Sequence, residues 1–205
     1  MKRKLNIGFD IDGVLLDCET YMAQKGSIYL NKPVVNPCGD DIAEMFGVAQ
    51  EFENAFWRDH IEDFAVSPVA REHIADMIKK LRSLGHKVYI ITNRGRDLSF
   101  CTMTRECMHG LVESWLKREQ IEYDGLCFAN GEKFACCKEK EIDIFVEDSG
   151  SVIKKMKKDE AALNPNGNPL VILCYNASYN QEVEGDNIFH VSKSQDIFEL
   201  CQQFM

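Results

Sequence analysis

Two aspartates one residue apart, Asp10 and Asp12 in the run Phe9-Asp10-Ile11-Asp12-Gly13-Val14, are the residues of this chain best placed to do chemistry. They follow Leu5 to Phe9, a short apolar run that reads as a buried strand, so both fall where that strand ends. Alternation along extended backbone puts the two carboxylates on one side, and Gly13 permits a tight departure that a bulky residue would resist. Like charges at close range oppose each other's ionisation, so such a pair is costly unless a cation or a reaction needs it. A solvated acidic turn is the plain alternative. The polar residues farther along the chain weigh against it, and the pair reads as a Mg2+ and phosphate site.

Those residues also sit where apolar runs end. Thr92-Asn93-Arg94 follows Val88-Tyr89-Ile90-Ile91, Glu147-Asp148 follows Ile142 to Val146, and Lys133 lies just beyond Gly125 to Ala129. The set contains a carboxylate nucleophile, a second carboxylate, a hydroxyl donor, cations for phosphate oxygens and acidic groups for a metal. Asn93 and Arg94 are candidates for substrate phosphate, since a guanidinium grips phosphate in a fork, although Arg94 could equally pair with a surface carboxylate. Asp143 stands inside a strand approach and reads as structural, and Lys138 and Lys140 read as solvated.

The elements that must position these groups alternate. After the first strand, residues 17–67 contain no buried strand. They read as helices around Glu19 to Leu30, Asp41 to Phe46 and Ala49 to Asp59, broken at Pro33 to Gly39. The aromatic residues Phe46, Phe52, Phe56, Trp57 and Phe64 read as the core of this insertion or its contact with the rest of the chain. Ser67-Pro68 then caps and opens a helix to Leu84, ended by Gly85. Strands at Val88–Ile91, Gly125–Ala129, Ile142–Val146 and Leu170–Cys174 follow, separated by helices at Phe100–Glu119, Phe134–Lys140 and Ser151–Lys158. A last helix starts at Ser194. This order predicts an α/β fold: a three-layer Rossmann-like parallel sheet formed by residues 1–16 and 68–205, with 17–67 as a small helical cap inserted after the first strand. Right-handed crossovers would gather the strand exits along one edge, where open α/β sheets bind ligands.

Composition narrows the partners. A formal net charge of -9 and the absence of a long basic run argue against stable binding to a nucleic-acid duplex. No apolar segment approaches the roughly 20 residues that span a bilayer, and Met1-Lys2-Arg3-Lys4 is not followed by an export signal core, so a cytoplasmic protein is expected. The nine cysteines read as reduced, mostly buried thiols. A zinc site from Cys101, Cys107, His109, Cys136 and Cys137 is the alternative, without a Cys-x-x-Cys spacing to support it.

Taken together, Asp10-Ile11-Asp12-Gly13-Val14, Thr92, Lys133 and Glu147-Asp148, in this order on this scaffold, resemble the four motifs of the haloacid dehalogenase (HAD) superfamily. The insertion resembles that family's C1 cap. Glu132-Lys133, Cys137-Lys138 and Ile142-Asp143-Ile144-Phe145-Val146-Glu147-Asp148-Ser149 look most like its 5'-nucleotidase (deoxy type C-like) branch. The resemblance implies a Mg2+-dependent phosphatase in which Asp10 attacks phosphorus and forms an aspartyl-phosphate, and Asp12 is the general acid and base. It implies Mg2+ held by Asp10, the Asp12 backbone carbonyl and Asp148, with Glu147 acting through water, while Thr92 and Lys133 hold the phosphoryl oxygens. The neighbouring Lys138 and Lys140 leave the third motif open at this point. The substrate class implied is a nucleoside monophosphate. A sugar phosphate or other small metabolite is the runner-up, and a phosphate-binding protein without turnover is the alternative of a different class. The second aspartate favours phosphoryl chemistry over displacement of halide from carbon, and between hydrolysis and mutase-type transfer the motifs favour neither.

Overall fold

A computed structural model describes residues 3–164 and 167–205. Six parallel strands form one sheet in the order β3-β2-β1-β4-β5-β6: β1 (Asn6–Phe9), β2 (Lys87–Thr92), β3 (Gly125–Phe128), β4 (Ile144–Glu147), β5 (Val171–Tyr175) and β6 (Ile188–Val191). Helices cover both faces, as parallel strands buried on two sides require. Alternation in the strands sorts the core into two halves. Ile7, Phe9, Val88, Ile90, Ile144, Val146, Val171 and Leu173 pack on one face, and Ile91, Phe145, Ile172 and Cys174 on the other. Gly8 is the point where the second face comes closest to β1. A Cβ there would lie 2.6 Å from the Phe145 ring, so the bare backbone makes room for that side chain.

The first face carries α4 (Ile74–Ser83), α5 (Arg105–Arg118), α8 (Ser194–Gln203) and, inserted between β1 and α4, the helices α1 (Cys18–Leu30), α2 (Ile42–Phe46) and α3 (Gln50–Val66). The second carries α6 (Lys133–Glu139) and α7 (Gly150–Leu163). Ile74, Met77, Ile78 and Leu81 show why α4 forms and docks: the spacing is that of one helical stripe, and all four are buried. Burial of each such side chain stabilises by about 1.5–3 kcal/mol. The three-layer α/β architecture expected from the sequence is therefore present.

Three local expectations differ. Ser67-Pro68 does not open a helix; Ser67 ends α3, and the chain runs on without helix to His73. Tertiary contacts hold that segment: Ala70 bridges Leu16, the Arg71 N–H donates to the Leu15 carbonyl at 2.7 Å, and the Ala70 N–H donates to Glu119 Oε2 at 2.8 Å. The helix expected from Phe100 starts at Arg105, because the Thr104 hydroxyl oxygen accepts the Cys107 N–H and caps it. A sixth strand, β6, was not anticipated. It is an edge strand whose Phe189 and His190 are exposed, so it lacks the continuous apolar run of its neighbours. Of the insertion's aromatic residues, Phe46, Phe56 and Phe64 are buried and Trp57 packs against the core, whereas Phe52 is exposed.

The cysteines divide as well. Cys127 on β3 and Cys136 on α6 are joined by a disulfide, against the expectation of thiols throughout, and the seven others are free. The zinc alternative loses Cys136 to that bond. Among the described residues the grouping with metal-ligand proximity is Asp10, Glu147 and Asp148. No described helix is long and apolar enough to cross a membrane.

Candidate active site

Strand exits build the site. Asp10 is the first residue past β1, and its N–H donates to the Val146 carbonyl at 3.0 Å, which continues the β1–β4 ladder and aligns the exits of both strands. The chain then turns at Gly13, with φ of +75°. A Cβ at Gly13 would stand 1.9 Å from Asp148 Oδ2, so glycine serves here both for its backbone conformation and for the approach of Asp148.

Lys133, the first residue of α6, reaches back over the exit of β1. Its Nζ lies 2.9 Å from Asp10 Oδ2 and 2.6 Å from Glu147 Oε2, with the lysine side chain only 3% exposed. Lys138 binds instead to the Leu163 carbonyl and Lys140 to Glu139, so Lys133 is the lysine at Asp10. Asn93 helps to place it indirectly. Its Oδ1 accepts the Gly131 N–H at 2.8 Å and ties the end of β2 to the loop that leads into α6. Glu147 is fully buried; Oε1 accepts the N–H groups of Asp148 and Ser149, and Oε2 takes Lys133. Thr92 is also fully buried, and its hydroxyl oxygen accepts the Arg94 N–H at 3.2 Å, leaving its proton free to donate.

Burial raises the Asp10 carboxyl to about 7; Lys133 opposes the rise, and Glu147 and Asp12 add to it. Burial lifts Asp148 too, assisted by Glu147 and Asp10. For Lys133 burial acts downward, but Asp10 and Glu147 outweigh it and hold the ammonium charged. Three carboxyl groups thus crowd one buried cation. Asp10 Oδ1 remains buried with no hydrogen-bond partner. An all-oxygen set with an orphaned carboxylate oxygen fits a hard dication, which would complete both the charge and the unpaired atom.

Asp12 lies farther out, with its side chain 32% exposed. Arg94 grips it as a fork: Nη2 is 2.7 Å from Oδ1, and Nε is 3.1 Å from each oxygen. The guanidinium lies 4.8 Å from the centre of the Phe64 ring and donates from Nη1 to the Ala65 carbonyl at 3.5 Å, so it bridges Asp12 to the end of α3. In this structure Arg94 pairs with the site's own second aspartate. Beyond Asp12 opens a cavity of about 270 Å³ with Trp57, Ile61, Phe64, Phe100 and Met108 among its walls.

Residues outside the sequence expectation complete the site. Tyr179 donates its hydroxyl to Asp148 Oδ2, and Asn180 Nδ2 donates to the Asp148 carbonyl at 2.7 Å. Arg71 Nη2 donates to the Gly13 carbonyl at 3.0 Å. The polar run Asn176-Ala177-Ser178-Tyr179-Asn180 at the exit of β5 was the available signal for the first two. Arg71 has no comparable mark in the sequence.

No family model matches this sequence, and no curated protein matches it. Solved structures do match. A HAD family hydrolase from Deinococcus radiodurans R1, solved with bound phosphate and sodium, superposes with a TM-score of 0.62 at 13% identity over 98% of this chain and 96% of its own. The fold is that of the HAD hydrolases. A predicted phosphoglycolate phosphatase from Haemophilus somnus 129PT gives a TM-score of 0.60 at 15% identity over 98% of this chain and 100% of its own. A HAD-superfamily hydrolase from Ehrlichia chaffeensis gives 0.53 at 11% over 100% and 98%.

Proposed function

We propose that this protein is a Mg2+-dependent phosphomonoester hydrolase that acts through an aspartyl-phosphate on Asp10. The observation that carries the reading is the Asp10 carboxylate: one oxygen paired with Lys133, the other buried and unpartnered, with Asp148 close enough to share an ion and Thr92 at the end of the neighbouring strand. Asp10, Asp148 and the Asp12 carbonyl would hold the ion, which when bound supplies positive charge against the transferring phosphoryl oxygens.

The protein's own groups divide the remaining work. The Asp10 carboxylate attacks phosphorus as the bond to the leaving oxygen breaks. Lys133 offsets phosphoryl charge, and Thr92 donates its free hydroxyl proton. Glu147, engaged at both oxygens, anchors Lys133 and the start of α7. Asp12 protonates the leaving oxygen and then takes a proton from water, for which one of its oxygens must leave the Arg94 fork.

The substrate proposed is a small phosphorylated metabolite of the sugar-phosphate or phospho-acid type; the predicted phosphoglycolate phosphatase of the same fold is named for a phospho-acid, which supports the second of these. A nucleoside monophosphate is the second reading. The apolar, aromatic-walled cavity beside Asp12 favours it, since a nucleobase would find stacking surface there. Phosphate release with Mg2+ from a panel of sugar phosphates, phosphoglycolate and nucleoside monophosphates tests both, with Asp10→Asn as control. Release that is absent for every compound, or equal in the control, would sink the enzyme reading.

A further inference from the structure

We propose that Tyr179 is a positioning residue that holds Asp148 to one-oxygen binding and so favours Mg2+ over Ca2+ at the site. The inference rests on the metal-dependent reading above and deepens it.

Asp148 is held twice by a single loop. The Tyr179 hydroxyl donates to Oδ2 of its carboxylate, and Asn180, 1% exposed, donates from Nδ2 to its carbonyl at 2.7 Å and to the Tyr175 carbonyl at 2.8 Å. The Asn180 Oδ1 accepts the Ala177 N–H at 2.9 Å, which closes the loop on itself. Its outer side is fastened to the insertion: the Ser178 N–H donates to Glu19 Oε2 at 3.2 Å and its hydroxyl to the Pro37 carbonyl. The loop that carries Tyr179 is therefore fastened on both sides of that residue, and Asp148 cannot turn without breaking its bond to the Tyr179 hydroxyl.

The consequence concerns cation choice. Mg2+ demands near-octahedral geometry and keeps several waters, whereas Ca2+ accepts six to eight oxygens and tolerates bidentate carboxylates. With Oδ2 already accepting from a phenol, one of its lone pairs is taken, and Oδ1 is the better oxygen of Asp148 for the ion. Without that phenol the carboxylate is free to offer both, a posture that suits the larger ion. Groups that orient a ligand in this way typically change metal affinity about 10–100-fold when removed.

The test measures metal binding without substrate. Mg2+ and Ca2+ are titrated calorimetrically into the unmodified chain, Tyr179→Phe and Cys18→Ala, with circular dichroism to confirm folding. Tyr179→Phe is expected to weaken Mg2+ binding about tenfold or more, and to change Ca2+ binding by less than about threefold. Cys18, whose sulfur lies 3.9 Å from the same hydroxyl, is the control, and its replacement should leave the ratio of affinities unchanged. A second donor-free variant, Tyr179→Met, should repeat the change in ratio. Equal weakening for both ions in a folded variant, or an unchanged ratio, would overturn the inference. Absence of Mg2+ binding by the unmodified chain, or binding that survives Asp148→Asn, would instead refute the metal-dependent reading on which it stands and the inference with it.

Discussion

The floor of the site and its wall are built differently. The floor, Asp10, Lys133, Glu147 and Asp148, stands on the exits of β1 and β4 and the start of α6, and each of these side chains is nearly or fully buried. The wall, Asp12, Arg94 and the Trp57–Phe64 stretch of α3, joins a strand exit to the insertion through one guanidinium and leaves a cavity open beside it. Backbone ladders fix Asp10, Glu147 and Asp148 at the ends of β1 and β4, whereas the link from Asp12 to the end of α3 runs through the Arg94 side chain. On the proposed function, the floor carries the phosphoryl chemistry and the wall sets what leaves.

Substitutions should therefore cost most at the floor. Asp10→Asn removes the proposed nucleophile and is expected to lower phosphate release by about a thousandfold or more while the fold persists, checked by single-turnover assay and circular dichroism. Retention of a tenth of the activity would remove Asp10 from the nucleophile role. Lys133→Met is the next largest. It leaves Asp10 and Glu147 facing each other in a dry pocket, and breaking a buried pair from one side costs about 3–5 kcal/mol. Denaturant titration should show that loss, and combining it with Glu147→Gln should recover part of it. A shift below about 1 kcal/mol would mean that the lysine is solvated, as exposed pairs are worth no more.

Arg94 is the joint between the two regions, and its removal separates them. Arg94→Ala frees Asp12 and severs it from Phe64 and Ala65, so turnover is expected to fall about 10–100-fold through misplaced proton transfer. Formation of the aspartyl-phosphate from a substrate with a good leaving group, such as an aryl phosphate that needs little protonation, should fall much less. Equal loss on both substrates would assign Arg94 to the phosphate instead, as the sequence alone allowed.

The same division explains what was legible in the chain. Asp10, Thr92 and Asp148 could be located because each follows an apolar run, and in a parallel sheet the ends of such runs must share an edge. Lys133 stood among competing lysines, and only the turn into α6, tied by Asn93 to Gly131, singles it out. The partner of Arg94 was not legible. It depends on how α3 ends over the sheet, and the extension of α3 to Val66, past the Asp59 expected from the sequence, brings Phe64 and Ala65 to the guanidinium. Tyr179 and Asn180 lie on a loop after β5 with no periodic signal, and their function comes from contacts about 30 residues away in sequence. The non-helical course of residues 67–73 was hidden for a similar reason: serine followed by proline is a sound local helix start, but pairing with Leu15 and Leu16 overrides it.

The smallest effect expected is also the one that divides the two substrate readings. Trp57 meets the Asp12 cavity from α3, and its ring stacks at an angle on Phe64, with centroids 5.2 Å apart. Its indole N–H is 3.3 Å from Glu53 Oε1. If a nucleobase occupies the cavity, Trp57→Ala removes a stacking surface worth about 0.5–1.5 kcal/mol, which corresponds to a rise in KM of up to roughly tenfold for nucleoside monophosphates. A short sugar phosphate or phospho-acid ends nearer the floor and should change by less than about threefold, since it lacks a ring to stack. A parallel KM series on both classes, in unmodified and Trp57→Ala protein, reads the difference directly. A change confined to nucleotides would move the proposal to its second reading. Unaltered KM for every substrate would show that Trp57 is packing alone, and that within the wall the selection of leaving group lies with Arg94 and Asp12.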